Sequence, residues 1–201
     1  MPKSNFLKRF VILNIGLFIY GIGIAFMVHA SVGLAPWDVL AQGISKQTGL
    51  SFGQATIATS LMVLICWIPL RVKPGIGSIL NAILLGVYAD IALRYMPDLE
   101  NYWLKLSWLV LGMLIISFAT GLYISSHMGK GPRDGLNTGL AQKLKLPFWQ
   151  ARTLVEVAVV SLGWLLGGQV REGTLIFALA IGYLNQLGLR IFKLVDGGGR
   201  L

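Results

Sequence analysis

Apolar residues run along the chain in six long blocks, Phe10 to Ala30, Phe52 to Leu70, Gly75 to Leu93, Leu104 to Ser125, Phe148 to Gly168 and Gly173 to Phe192. Blocks of this length cross the hydrocarbon core of a bilayer as helices, which satisfy their own backbone groups where an open strand cannot. Four meet the length test outright; of the other two, Phe148 to Gly168 carries Arg152 and Glu156. The pattern predicts an all-α polytopic membrane protein with six transmembrane helices. Two short segments interrupt it, Pro36 to Gly49 and Pro132 to Lys145, and they read as short helices that are either re-entrant or interfacial.

The two interruptions carry the same residues. Gly33 to Gly43 reads GLAPWDVLAQG and Gly129 to Gly139 reads GKGPRDGLNTG, an offset of 96. From Gly33 to Ala55 that offset makes nine of 23 positions identical, where about one or two are expected between unrelated segments. It goes on to pair Gly77 with Gly173, Ala82 with Ala178, Gly86 with Gly182, Leu93 with Leu189 and Arg94 with Arg190. The chain therefore divides into a first repeat at about 8–95 and a second at about 104–192.

Three crossings per repeat make the copies inverted relative to each other. With the N-terminus inside, thirteen Lys and Arg fall on the cytoplasmic side against four outside, Lys46, Arg94, Lys105 and Arg171, which follows the positive-inside rule. If the two short segments also crossed, the repeats would be parallel and the tally twelve against five, so charge alone separates the models weakly. The short segment at Pro36 decides for six spans, because Asp38, Gln42, Ser45, Lys46 and Gln47 crowd about fourteen residues, too few and too polar for an ordinary crossing.

In each copy Pro opens a helix where its missing N–H costs nothing, and Asp in the first turn meets the positive end of the helix dipole. One reading aims both helix starts, with Asp38 and Asp134, at a shared midplane site, since irregular backbone at that depth is tolerated where it lines a cavity. The other lays each helix flat on the headgroups with Asp as an ordinary cap. On the first reading the substrate-binding candidates are Gly33, Pro36, Asp38, Gly129, Gly131, Pro132, Arg133, Asp134, Asn137, Arg152 and Glu156. Arg152 and Glu156, four apart on one helix, are set to pair, either as a structural tie or with Glu156 as a proton or cation carrier. Asn81, Gln54 and Gln150 are candidates for lining a cavity or bonding between helices, and Asp90 for an interfacial position. His29 and His127 stand beside the two turns as hydrogen-bonded interfacial residues or a pH-sensitive gate.

Composition sharpens this reading. The 201 residues are 55% hydrophobic and 12% charged, with a mean hydropathy of +0.72, more apolar side chain than a soluble core of this size buries. The net charge of +9 sits at helix ends and answers to lipid headgroups and topology instead of nucleic acid. MPKSNFLKRF precedes an apolar run too long for a signal peptide and reads as a retained anchor. Cys66 is the only cysteine, so an intramolecular disulfide and a thiolate cluster are excluded, and it reads as a small packing residue. No HExxH, GxSxG or Walker loop occurs, so no enzyme, cofactor or metal is expected. The tail Asp196 to Leu201 reads as flexible. Small residues such as Gly16, Gly21 and Gly23 serve close helix packing or a homodimer seam.

The segments GLAPWDVLAQG, KPGIGSILNAILLG (Lys73 to Gly86), GKGPRDGLNTG, ARTLVE and LGWLLGG (Ala151 to Gly168) resemble the YczE family of bacterial membrane proteins, within the wider YitT-like group. The resemblance covers Gly21 to about Leu189; VREGT at Val170 to Thr174 departs from the family's pattern through Arg171 and Glu172. It implies a multi-span protein of the bacterial inner membrane and little about activity. The functional expectation is a small-solute transporter or channel with both termini cytoplasmic and partners limited to lipid, a small polar solute or ion, and a second copy. The alternative is a scaffold, or the substrate-binding subunit of a larger importer.

Overall fold

The computed structural model describes residues 3–194, with side chains from residue 6 onward; the tail at 196–201 lies outside the described residues. Within them the chain forms eight helices and no strand: α1 (Lys3–Ala30), α2 (Pro36–Thr48), α3 (Phe52–Leu70), α4 (Ile76–Leu93), α5 (Tyr102–Ile124), α6 (Pro132–Leu144), α7 (Phe148–Leu165) and α8 (Glu172–Ile191). Five of them, α1, α3, α4, α5 and α8, are long and apolar enough to cross a membrane. The molecule is a membrane protein whose outer helix faces contact lipid. α7 matches α4 in length at 18 residues but falls short in hydropathy, because Gln150, Arg152 and Glu156 interrupt its apolar surface.

The turns recur at the sequence offset. Ser31 and His127 (φ 55° and 52°), Gly33 and Gly129 (142° and 141°), Gly49 and Lys145 (73° and 54°), and Arg71 and Gly167 (56° and 91°) all adopt positive φ. The conformation near 140° is open to glycine alone, which explains why GLAP and GKGP both begin with it. Each of these two glycines lies against the start of a helix from the other half. The Gly173 N–H donates to the Val32 carbonyl and the Gly77 N–H to the Met128 carbonyl, both at 2.9 Å, and these two bonds are again 96 residues apart at either end.

Packing follows the same exchange. α1 lies on α5 at the centre; α1 packs α4 as α5 packs α8, and α2 is held between α3 and α7 as α6 is between α7 and α3. The core sits where α1 and α5 meet, with Ile24, Met27, Leu109, Met113 and Ile116 buried. Full burial of each such side chain contributes roughly 1.5–3 kcal/mol in water; inside a bilayer, close packing takes over that role. The small residues expected to permit close approach do so: a Cβ on Gly23 would meet Ile116, and one on Gly16 would meet Tyr123.

One pair breaks the exchange. α3 packs along α4, whereas α7 has no comparable packing against α8. Residue identity explains the difference. Gly53 and Gly86 bring α3 and α4 so close that a Cβ on Gly53 would stand 2.1 Å from the Gly86 carbonyl oxygen. Their equivalents are Trp149, 65% exposed, and Gly182, whose Cβ position faces open space. Asp90 adds a tie: it accepts from the Ser51 hydroxyl and from the Gly53 N–H at 2.7 Å. The equivalent on α8 is Gln186, and α7 begins at Pro147 with no side-chain cap. Asp90 therefore anchors the start of α3, and Gln54 belongs to the same capping box with Ser51. Cys66, expected as a packing residue, is exposed on the outer side of α3, where an apolar thiol suits lipid.

Candidate functional site

The short helices bring the site together because their first turns are buried. Pro36, Trp37, Asp38 and Val39 of α2 are buried, and Asp38 is only 1% exposed. α2 packs between α3 and α7, which buries its Asp against protein. α6 starts with Gly131, Pro132, Gly135 and Asn137 buried and Arg133 and Asp134 partly buried. Trp67 of α3 fixes its position, donating from Nε1 to the Pro132 carbonyl at 3.0 Å while its ring packs against Gly135.

A cavity of about 80 Å³ lies among α1, α2, α5, α6, α7 and α8, several times the space that one water needs. Pro36, Arg133, Asp134, Asn137, Arg152 and Glu156 line it. Six of the eleven residues expected from the sequence are thus gathered around one space. Asp38 stands behind them, its Oδ1 accepting from Arg133 Nη2 at 3.1 Å. Gly131 and Pro132 form the turn beneath Asp134, whereas Gly33 and Gly129 pack against the starts of α8 and α4 away from the lining.

Three charge relationships define the lining. Arg133 spans the two halves of the chain, pairing with Asp38 while its guanidinium lies 5.5 Å from the Trp37 ring centre. Arg152 donates from Nε to Glu156 Oε1 at 2.8 Å, the i,i+4 pair that the spacing implies. Asp134 has no ion pair among the described residues; its Oδ2 accepts from the Tyr123 hydroxyl at 3.2 Å.

Tyr20, Ala35, Trp37, Thr120, Tyr123, Phe177, Ile181 and Asn185 complete the lining and were not legible as site residues, since an isolated aromatic or amide in an apolar span looks like packing. The unmatched polar Asn185, which pairs with Ala89 by the repeat, was the available signal. Asn81, the cavity candidate, is buried beside Gly131 and outside the lining. His29 Nε2 bonds the Pro97 carbonyl at 2.6 Å, while His127 occupies the left-handed turn before α6. Arg9 holds that turn through the Ser126 and His127 carbonyls. Arg171 donates to the Ser31 carbonyl at 3.0 Å and Glu172 accepts from Tyr102 at 3.1 Å, so the atypical VREGT loop ties α8 to its neighbours.

Residues 7–189, which contain both short helices and every lining residue, match the model of a family of unknown function, DUF6198. The chain belongs to the DUF6198 family. It is similar to an uncharacterized protein of Haemophilus influenzae, 36% identical over 184 residues that cover 92% of this chain and 84% of that one. It is also similar to the Bacillus subtilis uncharacterized membrane protein YczE, 28% identical, covering 93% of this chain and 88% of that one. A second Bacillus subtilis protein, YyaS, is 27% identical, with coverage of 92% and 94%. The expected YczE resemblance thus holds along nearly the whole DUF6198 chain. No solved structure gives a significant match.

Proposed function

We propose that this protein is a carrier for a small polar solute in the bacterial inner membrane, built from two inverted three-span repeats. The observation that carries the reading is the meeting of two short-helix amino ends, one from each half, at a single cavity bridged by the Arg133–Asp38 pair. Helix amino ends and unwound backbone at mid-bilayer are the usual materials of a transporter site. In this reading α7 crosses as the sixth span, both termini are cytoplasmic, and the chain catalyses no covalent chemistry.

The unequal flanks favour a carrier over an open pore. α3 and α4 close one side through Gly53, Gly86 and Asp90, while α7 and α8 stand apart beside the cavity. In an alternating cycle α7 would close on α8 while α3 parts from α4, and Trp149 opposite Gly182 would make that closed flank looser than the Gly53–Gly86 one. The cavity of about 80 Å³ suits a solute of a few heavy atoms, far below the roughly 300–1,000 Å³ of drug-sized sites.

A second reading, a binding subunit that passes its solute to a partner, draws on α8. Leu175, Leu179, Tyr183 and Leu187 form an outward stripe, exposed by 67, 77, 79 and 54%, that a partner, a second copy or lipid could cover. Uptake into proteoliposomes separates the readings, with radiolabelled ethylammonium, acetate and acetamide as probes. The carrier reading expects saturable flux of one probe by the isolated chain, lost in Asp134→Asn and Asp38→Asn proteins that remain folded. Binding without flux in any probe would favour the subunit.

A further inference from the structure

The internal repeat supplies a test of charge at the site that neither half supplies alone. Position 133 holds Arg, and its equivalent, position 37, holds Trp. Arg133 crosses to Asp38; the reciprocal contact would run from position 37 to Asp134, and Trp37 carries no charge to make it. Each of the other charges in the site has a partner, Asp38 with Arg133 and Glu156 with Arg152. Among the described residues the Asp134 carboxylate is hydrogen-bonded to the Tyr123 hydroxyl, while Arg152, Arg133 and Lys130 act on it from longer range without pairing.

What surrounds Asp134 is aromatic and oxygen-rich. Tyr20, Trp37 and Tyr123 all line the cavity, and the two tyrosine rings meet edge to face at 6.2 Å. Asn137, 4% exposed, lines the same space and its Oδ1 has no hydrogen-bond partner among the described residues. The Oδ1 of Asn185, across the cavity, is likewise buried without a partner. Ring faces attract a cation whose hydration is weak, and a carboxylate with acceptor amides satisfies its N–H groups. A divalent metal would require several oxygen or nitrogen ligands converging within bonding distance, and no cluster of three His, Cys, Asp or Glu side chains suited to a metal occurs among the described residues. An anion would meet three carboxylates, Asp38, Asp134 and Glu156, against two guanidinium groups, each already paired with one of them.

From this arrangement we infer that the cavity takes a small organic cation, an alkylammonium group seated between the Asp134 carboxylate and the rings of Tyr20 and Tyr123. The inference rests on the proposed site but not on transport, because binding is measured without flux. Isothermal titration of the full-length protein in detergent, with ethylammonium, tetramethylammonium, sodium and acetate as probes, tests it. Saturable binding of at least one alkylammonium is expected, with sodium and acetate at least about tenfold weaker. Asp134→Asn should weaken alkylammonium binding by about tenfold or more, Asp134→Glu should restore part of it, and Glu172→Gln, outside the cavity, should leave it unchanged. Preference for acetate or sodium by the unaltered protein would overturn the inference, independently of how any variant folds. Alkylammonium binding that survives Asp134→Asn would overturn it too. Binding without uptake would leave the cation site standing and remove the carrier.

Discussion

Arg133 on α6 reaches Asp38 on α2 with a single bond of 3.1 Å, joining residues 95 apart in sequence at the place where the two halves of the protein meet. The Asp38 side chain is almost wholly buried and that of Arg133 about three-quarters so. Their separate contributions are therefore unequal to their joint one. Removing the guanidinium leaves a buried carboxylate without a partner, whereas removing both charges leaves two groups of low desolvation cost.

Arg133→Met should accordingly lower unfolding stability by about 3 kcal/mol. The double variant Arg133→Met, Asp38→Asn should recover a large part of that loss. Equilibrium unfolding in mixed micelles measures the cycle, and additive single effects would show that the pair is not coupled.

Trp67 and Gly135 make a second dependence. A Cβ at residue 135 would lie 1.9 Å from the indole ring, and the ring is fixed by its bond to the Pro132 carbonyl. Gly135→Ala should destabilise by about 1–3 kcal/mol, and Trp67→Leu in the same protein should return part of that. Thermal unfolding followed by tryptophan fluorescence reads both. The repeat equivalents are Val39 and Gly163, with the large and small residues exchanged between helices.

Asp90 and Gln186 occupy equivalent places with unequal work. Asp90→Ala removes the acceptor for Ser51 and Gly53, a cap whose loss costs about 0.5–2 kcal/mol. Faster hydrogen exchange at the start of α3 should follow. Gln186→Ala should leave the start of α7 unchanged, and equal acceleration at both sites would show that the flanks are not held differently.

The short helices were legible because their causes are local. Pro36 and Pro132 open α2 and α6 at the residues the sequence pattern names, since proline at the first helical position is a strong start signal. The Arg152–Glu156 pair was legible from its spacing on one helix. Burial of Asp38 and its partnership with Arg133 were not, because a bond between two halves depends on how α2 and α6 enter the bundle, which sequence left open between insertion and flat lying. The aromatic wall was hidden for a related reason: Tyr20, Trp37 and Tyr123 come from three helices, and no spacing along the chain brings them together. Nor could apolar content distinguish the tight α3–α4 flank from the loose α7–α8 flank; the replacement of Gly53 by Trp149 acquires meaning only after Gly86 is seen opposite.

The central claim is that the two repeats enter the membrane in opposite senses. Lys46 and Lys143, both exposed, mark the far ends of α2 and α6, and Cys66→Ser removes the one native thiol. In that background, single cysteines at 46 and 143 can be reacted with a membrane-impermeant maleimide in right-side-out and inside-out vesicles. Inverted repeats predict that residue 46 reacts from the periplasmic side and residue 143 from the cytoplasmic side. Reaction of both from the same side would contradict the inverted arrangement and the carrier built on it.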